Sequence, residues 1–345
     1  MANIFFRYGD VRDLRFVLSG GTHLGWPSKF RITHPLQLYG HPDILCSHSR
    51  FNKKPMNWLF PPETSNYVTI LRNPVDNFES VYNFYHLGKV FGIGDSPDHS
   101  LEKFLENPMP YYIEHSGRWV TCLGRNPMMF DLGLDLKYFE NVTAVTEYIQ
   151  FLDKEFDLVM IMDYFDESLV MMKRMLCWEM DDILYVKLNE RQDKEKATSL
   201  SAEVKENIRQ WNKADVLLFN YFNETFWRKV AMEGPGFYED LSAFRRRKQE
   251  IKELCLNGSR LFENAFGRKY VKGYTLRYDL DLSSKVLCES LVRKENDFLA
   301  HLRKKREAKL TELQLVNENN RITKETGWDK VSDMRYVPLK NPNGM

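Results

Sequence analysis

The sequence lacks the features that would place it on nucleic acid or across a membrane. Its 345 residues carry 49 basic and 48 acidic side chains, a net charge of +1, whereas nucleic-acid-coating proteins are usually far more basic. No apolar run is long enough to span a bilayer, and the first residues do not form a signal peptide. Hydrophobic residues nevertheless make up 43% of the chain, enough to bury a sizeable core. Because the net charge is close to zero, any anion site must be local.

Cysteine pairs with metal or redox spacing are absent as well. The cysteines are too far apart for a zinc knuckle or a CxxC pair, and their odd number leaves at least one thiol unpaired within the chain. Two interpretations stay open, namely buried inert thiols, or one or two disulfides formed in a secretory compartment. The five positions are Cys46, Cys122, Cys177, Cys255 and Cys288.

Short motifs point weakly to a compartment and away from one enzyme class. Three N-x-S/T sequons, at Asn141, Asn223 and Asn257, are candidate glycosylation sites and favour a lumenal protein. No GxxxxGK[ST] sequence occurs, which argues against a P-loop kinase.

Apolar runs that alternate with helical patterns predict an α/β fold with a parallel sheet covered by helices on both faces. We expect strands at 68–71, 157–162 and 183–186, and a further strand at 43–46. A helix should follow the first strand, and Asp166 should cap the helix that follows the second. Ser201 should begin another helix, and a further one should run from about Asp215 to Val230.

The chain changes character near residue 240, where charged residues become frequent. Arg245–Lys248 lies on a helical pattern with Ile251 and Leu254, which is most simply a solvated helix face. We therefore predict a main domain over 1–240, a charged helical extension packed on it over 241–315, and a loose tail over 316–345.

Arg72 and Ser80 are the candidate anion ligands. Arg72 follows the strand at 68–71, and in open α/β sheets ligands bind beyond the carboxyl ends of the strands. Its guanidinium can grip two phosphate oxygens, and the Ser80 hydroxyl in the following helix can add a donor. The alternative is an ion pair between Arg72 and Glu79.

This stretch resembles the 3′-phosphate-binding motif of sulfotransferases, which take sulfate from 3′-phosphoadenylyl sulfate (PAPS). Further segments resemble the galactose-3-O-sulfotransferase (galactosylceramide sulfotransferase-like) family over most of the chain to about residue 230. These segments are 46–51 (CSHSRF), 126–134 (NPMMFDLGL), 156–169, 176–178, 181–185, 187–189, 209–212 and 226–228.

The resemblance implies a P-loop-like sulfotransferase fold and roles for individual residues. Arg72 and Ser80 would bind the 3′-phosphate of PAPS. His48 matches a family histidine and is our candidate catalytic base, since its pKa lies near neutrality, although a structural histidine is the alternative. Arg50, His86 and Tyr85 are acceptor-site candidates, and an ion pair is the alternative role for Arg50. His115 is a weaker candidate. Aromatic residues could stack on a sugar or adenine, or could belong to the core: Tyr82, Phe84, Tyr85, Tyr111 and Tyr112.

One family element has no counterpart in the sequence. The segment 3–9 (NIFFRYG) resembles the family helix Asn-Ile-x-x-Arg-x-Gly, but the phosphate loop Lys-Thr-x-Ser-Ser-Thr that precedes this helix would lie before Met1. We therefore expect a truncated member whose transfer of sulfate is impaired. Either a fragment of a longer protein or a genuine short, inactive form would explain it.

The function implied by the resemblance is transfer of sulfate from PAPS to the 3-hydroxyl of a terminal galactose on a glycolipid or glycan. The chemistry itself needs no metal. Localisation would be the Golgi lumen or membrane, with membrane association only through an anchor that this chain does not carry. A glycosaminoglycan sulfotransferase and a non-catalytic glycan- or nucleotide-binding relative are the alternatives. No nucleic-acid partner is expected.

Overall fold

Two short parallel strands lie in the main hydrophobic core. In the computed structural model, which describes residues 1–32, 40–94, 96–187, 190–191, 200–263 and 270–326, β1 (Val68–Leu71) pairs with β2 (Leu158–Ile161). All four residues of β2 are buried, as the continuous apolar run of a strand covered on both faces requires. Both strands confirm the sequence prediction.

Helices make up most of the remaining described residues. They are α1 (Ala2–Val11), α2 (Lys53–Leu59), α3 (Pro74–Phe84), α4 (Leu87–Val90), α5 (Pro97–Glu106), α6 (Pro108–Glu114), α7 (Trp119–Leu123), α8 (Pro127–Asp131), α9 (Val142–Glu155), α10 (Phe165–Leu176), α11 (Ala202–Trp211), α12 (Lys213–Met232), α13 (Gly236–Cys255), α14 (Leu282–Val292) and α15 (Glu295–Thr326). Short 3-10 turns occupy Leu136–Tyr138, Met162–Tyr164 and Met180–Ile183.

A second, antiparallel sheet was not predicted. Its strands are β3 (Glu190–Arg191), β4 (Leu256–Glu263) and β5 (Tyr270–Leu276), in the order β3-β5-β4. The hairpin of β4 and β5 lies between α13 and α14, in the region expected to be helical throughout. The fold is thus a mostly helical α/β structure with a small parallel sheet.

Two predicted strands are wrong. The apolar run at 183–186 forms no strand. Its first residue ends a 3-10 turn, Met180–Ile183, which Glu179 and Asp182 close with reciprocal side-chain hydrogen bonds to the backbone. The segment 43–46 makes only an isolated parallel bridge between Ile44 and Phe16. Side-chain capping overrides the β-propensity of the run at 183–186. At 43–46, the segment around Phe16 offers only one bridge, so no strand extends there.

Four of the described helices, α3, α9, α11 and α14, begin with a side-chain cap. Asn73 accepts a hydrogen bond from the Val75 amide at the start of α3, where Pro74 is the first helical residue, and Ser201 caps α11 as predicted. The predicted cap at Asp166 is wrong, because α10 already begins at Phe165 and the Asp166 carboxylate instead binds the Lys248 ammonium of α13.

The extension predicted after residue 240 packs on the rest of the chain, but no break in structure marks its start. Helix α13 runs through residue 240, and α15 continues to Thr326, beyond the predicted start of the tail. Phe298, Leu299 and Leu302 of α15 are buried in a cluster with Phe6 of α1. The division into domain, extension and tail stays a prediction, and residues 327–345 lie outside the described part.

The segment that resembles the family helix is held by tertiary contacts. Asn3 donates hydrogen bonds to two carbonyls at the end of α14, and the buried Arg7 donates to the Leu184 carbonyl. Burial lowers the pKa of Arg7 to about 10. A Cβ on Gly9 would overlap the Phe16 ring, so only glycine allows this close approach. These residues therefore have packing roles in α1.

Candidate active site

The carboxyl ends of β1 and β2 form one part of the site. Leu71 lies opposite Ile161 in the parallel register, so the residues that follow both strands meet at one edge. The Asn73 amide donates to the Asp163 carboxylate at 3.0 Å and joins the two strand ends. Arg72, half-buried, lies at this edge, where a ligand of an α/β sheet is expected.

Arg72 and Ser80 both keep their polar side-chain groups available. In the part of the chain that the structure describes, neither the guanidinium of Arg72 nor the hydroxyl of Ser80 has a hydrogen-bond or ion-pair partner. The alternative pair with Glu79 does not form, and Glu79 accepts a hydrogen bond from Asn83 at 2.6 Å. A half-buried arginine without a counter-ion fits an anionic ligand, because burying an unpaired charge is costly.

The short helix α8 connects this edge with a second group of side chains. Its residue Met128 places its sulfur 3.4 Å from the Arg72 amide nitrogen, and its last residue is Asp131. Three residues of helix rise only about 4.5 Å. Asp131 therefore lies one helical turn along α8 from the residue whose side chain contacts the Arg72 backbone.

A buried polar network holds helix α8 in place. The Asp215 carboxylate of α12 accepts hydrogen bonds from the amides of Met128 and Met129 at 3.2 and 2.8 Å. Asn126 and Asn212 exchange further hydrogen bonds with the backbone of this junction. Burial raises the pKa of Asp215 to about 7, against the effect of the two amide donors. The network was not foreseen, because it joins segments far apart in the sequence.

His48 pairs with a carboxylate from the last described helix. Its Nε2 lies 3.5 Å from a carboxylate oxygen of Glu295, the first residue of α15. This hydrogen bond is the main cause that raises the pKa of His48 above its ordinary value. The ring stays largely open to solvent, with 60% of the side chain exposed. A histidine oriented by a carboxylate is a common arrangement for a general base.

His23, which the sequence did not single out, stacks on the His48 ring with centroids 5.2 Å apart. The two residues also form a parallel backbone bridge. Desolvation, together with the nearby His48, lowers the pKa of His23. His23 therefore holds a proton less readily than an ordinary histidine does.

Asp131 lies within the motif at 126–134 but was not predicted as a site residue. Its carboxylate accepts a hydrogen bond from the Trp26 indole at 2.8 Å. Desolvation raises the pKa of Asp131, while that hydrogen bond and the charges of His48 and Arg50 oppose the rise. The same carboxylate contributes to the raised pKa values of His48 and Tyr85. Three predicted site residues thus lie within electrostatic range of Asp131.

The contacts of Arg50 favour the ion-pair alternative. Its guanidinium is buried, donates to the carbonyls of Phe130 and Leu134, and pairs with Asp135 at 2.9 Å. It also lies 4.0 Å over the Phe130 ring. Arg50 therefore holds the segment that carries Asp131, and its contact with an acceptor stays a prediction.

The predicted aromatic candidates divide between core and surface. Tyr82 is a core residue that donates to the Ser100 carbonyl. Tyr85 follows α3 and packs against Trp119, with its pKa raised mainly by burial. His86 precedes α4 in a left-handed conformation, with φ +52°, and His115 is buried and bonded to a backbone carbonyl. Acceptor roles for Tyr85 and His86 stay predictions.

The sequons lie in different environments. Asn141 is exposed but caps α9 with its side chain, and Asn257 is exposed on β4. Asn223 lies inside α12 with its side-chain oxygen buried. The exposed positions are the more accessible to a glycan, and all three stay predictions.

The described residues contain neither a metal-binding cluster nor a membrane-spanning helix. No cluster of His, Cys, Asp and Glu there could hold a metal ion. No helix in the same residues combines the length and apolar character needed to cross a membrane.

Comparison with known proteins gives the class to which this site belongs. A family model described as Galactose-3-O-sulfotransferase matches residues 1–306. The chain is 31% identical over 318 residues to the galactosylceramide sulfotransferase of Bos taurus. The aligned region covers 88% of this chain and 74% of that protein. The chain is also 31% identical over 321 residues to the galactose-3-O-sulfotransferase 2 of Mus musculus, covering 87% and 80%.

A third relative extends the same picture. The galactose-3-O-sulfotransferase 3 of Homo sapiens is 34% identical over 271 residues, covering 76% of this chain and 62% of that protein. No solved structure matches the chain significantly. The chain belongs to the galactose-3-O-sulfotransferase family, as its Arg72 and His48 segments predicted.

Proposed function

We propose that this protein transfers sulfate from PAPS to the 3-hydroxyl of a terminal galactose on a glycolipid or glycan. The observation that carries the proposal is the unpaired Arg72 at the carboxyl end of β1, in a chain of this family. The family match favours galactose over a glycosaminoglycan as acceptor. A P-loop-like sulfotransferase fold belongs to the same proposal.

The residues of the site divide the chemistry between them. PAPS supplies an activated sulfuryl group. Arg72 and Ser80 would hold its 3′-phosphate, with the guanidinium as a bidentate donor and the hydroxyl as a further donor. No metal is required for this binding.

His48 would act on the acceptor. Its imidazole takes the proton from the galactose 3-hydroxyl as the oxygen attacks sulfur, and Glu295 stabilises the imidazolium that forms. The bond from acceptor oxygen to sulfur forms as the bond from sulfur to the phosphate oxygen breaks. Because Glu295 occupies Nε2, the other ring nitrogen, Nδ1, is the one available to the acceptor.

The disulfide supports a lumenal site of action. Cys255 and Cys288 are bonded, whereas Cys46, Cys122 and Cys177 are free. Disulfides persist mainly in oxidising compartments. We therefore propose the Golgi lumen, where galactose-terminated glycans are available as acceptors.

Calorimetric titration with adenosine 3′,5′-bisphosphate tests the donor site. We expect the wild-type chain to bind it and Arg72→Ala to lose at least about tenfold in affinity, because a charged hydrogen bond contributes about 1.5–3 kcal/mol. Arg246→Ala, at an exposed arginine of α13, should bind as the wild type does.

Acceptor assays test the reaction itself. Any sulfate transferred from labelled PAPS should pass to galactosylceramide or a lactoside and not to heparan or chondroitin. Transfer to the glycosaminoglycans would favour that alternative, and binding of both nucleotide and glycan without transfer would favour a non-catalytic relative. Equal nucleotide affinity of wild type and Arg72→Ala would contradict the donor site.

A further inference from the structure

We propose that Asp131 and Trp26 form the part of the acceptor site that recognises galactose. The Asp131 carboxylate accepts a hydrogen bond from the hydroxyl beside the reacting one, and the Trp26 indole packs on the apolar face of the sugar. This inference rests on the proposed function, because it takes a galactoside as the acceptor and His48 as the group that deprotonates it.

The Asp131 carboxylate, which Trp26 contacts, can accept further hydrogen bonds. Trp26 Nε1 donates to one carboxylate oxygen of Asp131, and the other oxygen has no hydrogen-bond or ion-pair partner among the described residues. An ionised carboxylate offers about four lone-pair sites. Asp131 is exposed to solvent, although surrounding protein atoms partly desolvate its carboxylate. Sugar hydroxyls are donors that suit such an oxygen.

The position of the pair relates it to the reacting hydroxyl. Asp131 acts electrostatically on His48. The ring of His23 contacts both His48 and Trp26, with its centroid 5.2 and 6.0 Å from theirs. In the proposed arrangement, a sugar whose 3-hydroxyl meets His48 extends past His23 toward Trp26 and Asp131. The hydroxyls beside position 3 are the equatorial 2-hydroxyl and the axial 4-hydroxyl.

The 4-hydroxyl is the group that distinguishes galactose from glucose. A carboxylate that binds it rejects an analogue without it, because the polar site is then left unpaired. The axial 4-hydroxyl also leaves one face of galactose apolar, and aromatic rings pack on such faces. Trp26 is only half-buried, and its indole contacts Phe130 edge-on at 6.2 Å, so part of the ring stays accessible.

A cycle that pairs variants with sugars tests the assignment. Dissociation constants of methyl β-galactoside and its 4-deoxy analogue would be measured by ligand-observed NMR on the whole chain. We expect the wild type to bind the 4-deoxy sugar about tenfold more weakly. Asp131→Asn should bind both sugars with equal, reduced affinity. Glu63→Gln, at an exposed carboxylate, should keep the wild-type difference.

Trp26 variants separate the stacking role from the support of Asp131. Trp26→Phe keeps an aromatic ring but removes the indole donor, and we expect it to retain most galactoside affinity. Trp26→Ala should lose at least about tenfold, a loss in the range of aromatic contacts. Trp58→Ala, at an exposed tryptophan, should leave binding unchanged.

The outcomes distinguish this inference from the proposed function. An undiminished 4-deoxy penalty in a folded Asp131→Asn chain overturns the role of Asp131, and so does wild-type protein that binds no galactoside. Adenosine 3′,5′-bisphosphate titrations on the same variants report the donor site separately. Suppose that the wild type and its variants show the expected differences in galactoside affinity, but the wild type neither binds the nucleotide nor transfers sulfate. In that case only the proposed function fails.

Discussion

Glu295 and His48 show how a single contact sets the chemistry of a side chain. The ordinary pKa of histidine lies near 6.5, and the hydrogen bond to Glu295 raises that of His48. The charge of Asp131 also raises the pKa of His48. The neighbouring His23 shows the opposite change, a lowered pKa. The base therefore becomes uncharged at a higher pH than a free histidine does.

Replacement of Glu295 by glutamine should lower the pKa of His48, because the main stabilising charge is removed. Histidine titration by NMR would show the change, and the rising limb of the activity–pH profile should move to lower pH. The raised pKa of His48 contributes stability that is present below about pH 6.5 and lost as pH rises through the folded value, so this dependence should weaken. Glu289→Gln, at an exposed carboxylate of α14, is the control. An unchanged titration of His48 would contradict the pairing.

At the scale of elements, α8 is the helix on which the two halves of the site depend. It has five residues, too few for a stable helix in isolation. The Asp215 carboxylate supplies acceptors for its first amides, which would otherwise be unsatisfied. Tertiary hydrogen bonds, and not helix propensity, therefore hold α8 and its residue Asp131 in place.

The raised pKa of Asp215 predicts a pH dependence of stability. Since its folded pKa is about 7 and its ordinary value 3.8, its contribution is fully present below about pH 4 and is lost as pH rises to 7. The free energy of unfolding should fall by a few kcal/mol over that window. Asp215→Asn should flatten this slope.

Urea unfolding at several pH values measures the slope. The amide side chain that Asp215→Asn introduces would also present a donor to the two α8 amides, so we expect an overall loss of about 1–3 kcal/mol. Glu63→Gln, at an exposed carboxylate, should keep the wild-type slope. Equal slopes in Asp215→Asn and the wild type would refute the assignment.

At the scale of the whole molecule, the disulfide ties the end of α13 to α14. Cys255 and Cys288 are both fully buried, with a sequence separation of 33. These helices pack near α1 and α15, and Glu295, the first residue of α15, pairs with His48. The C-terminal region is therefore part of the structure that supports the site.

Removal of the bond in Cys255→Ser/Cys288→Ser should lower the free energy of unfolding by about 3–4 kcal/mol, since a loop of this length gains that entropy when unfolded. Denaturant unfolding of the variant checks the value. Cys177→Ser, at an exposed free cysteine, is the matched control. A variant as stable as the wild type would show that the bond contributes little.

The sequence alone determined the features that depend on neighbours along the chain. The strands at 68–71 and 158–161, the Ser201 cap and the place of Arg72 follow from apolar runs and capping residues, which act locally. The family followed from Arg72, His48 and their flanking motifs.

Only the tertiary structure decided which side chains meet. The pairing of His48 with Glu295, of Trp26 with Asp131, and of Asp215 with α8 joins residues distant in the sequence. The burial of Arg50 and the hairpin of β4 and β5 depend likewise on partners that no local pattern specifies. Long-range contacts form through packing of the whole chain, and for that reason they were beyond prediction from single segments.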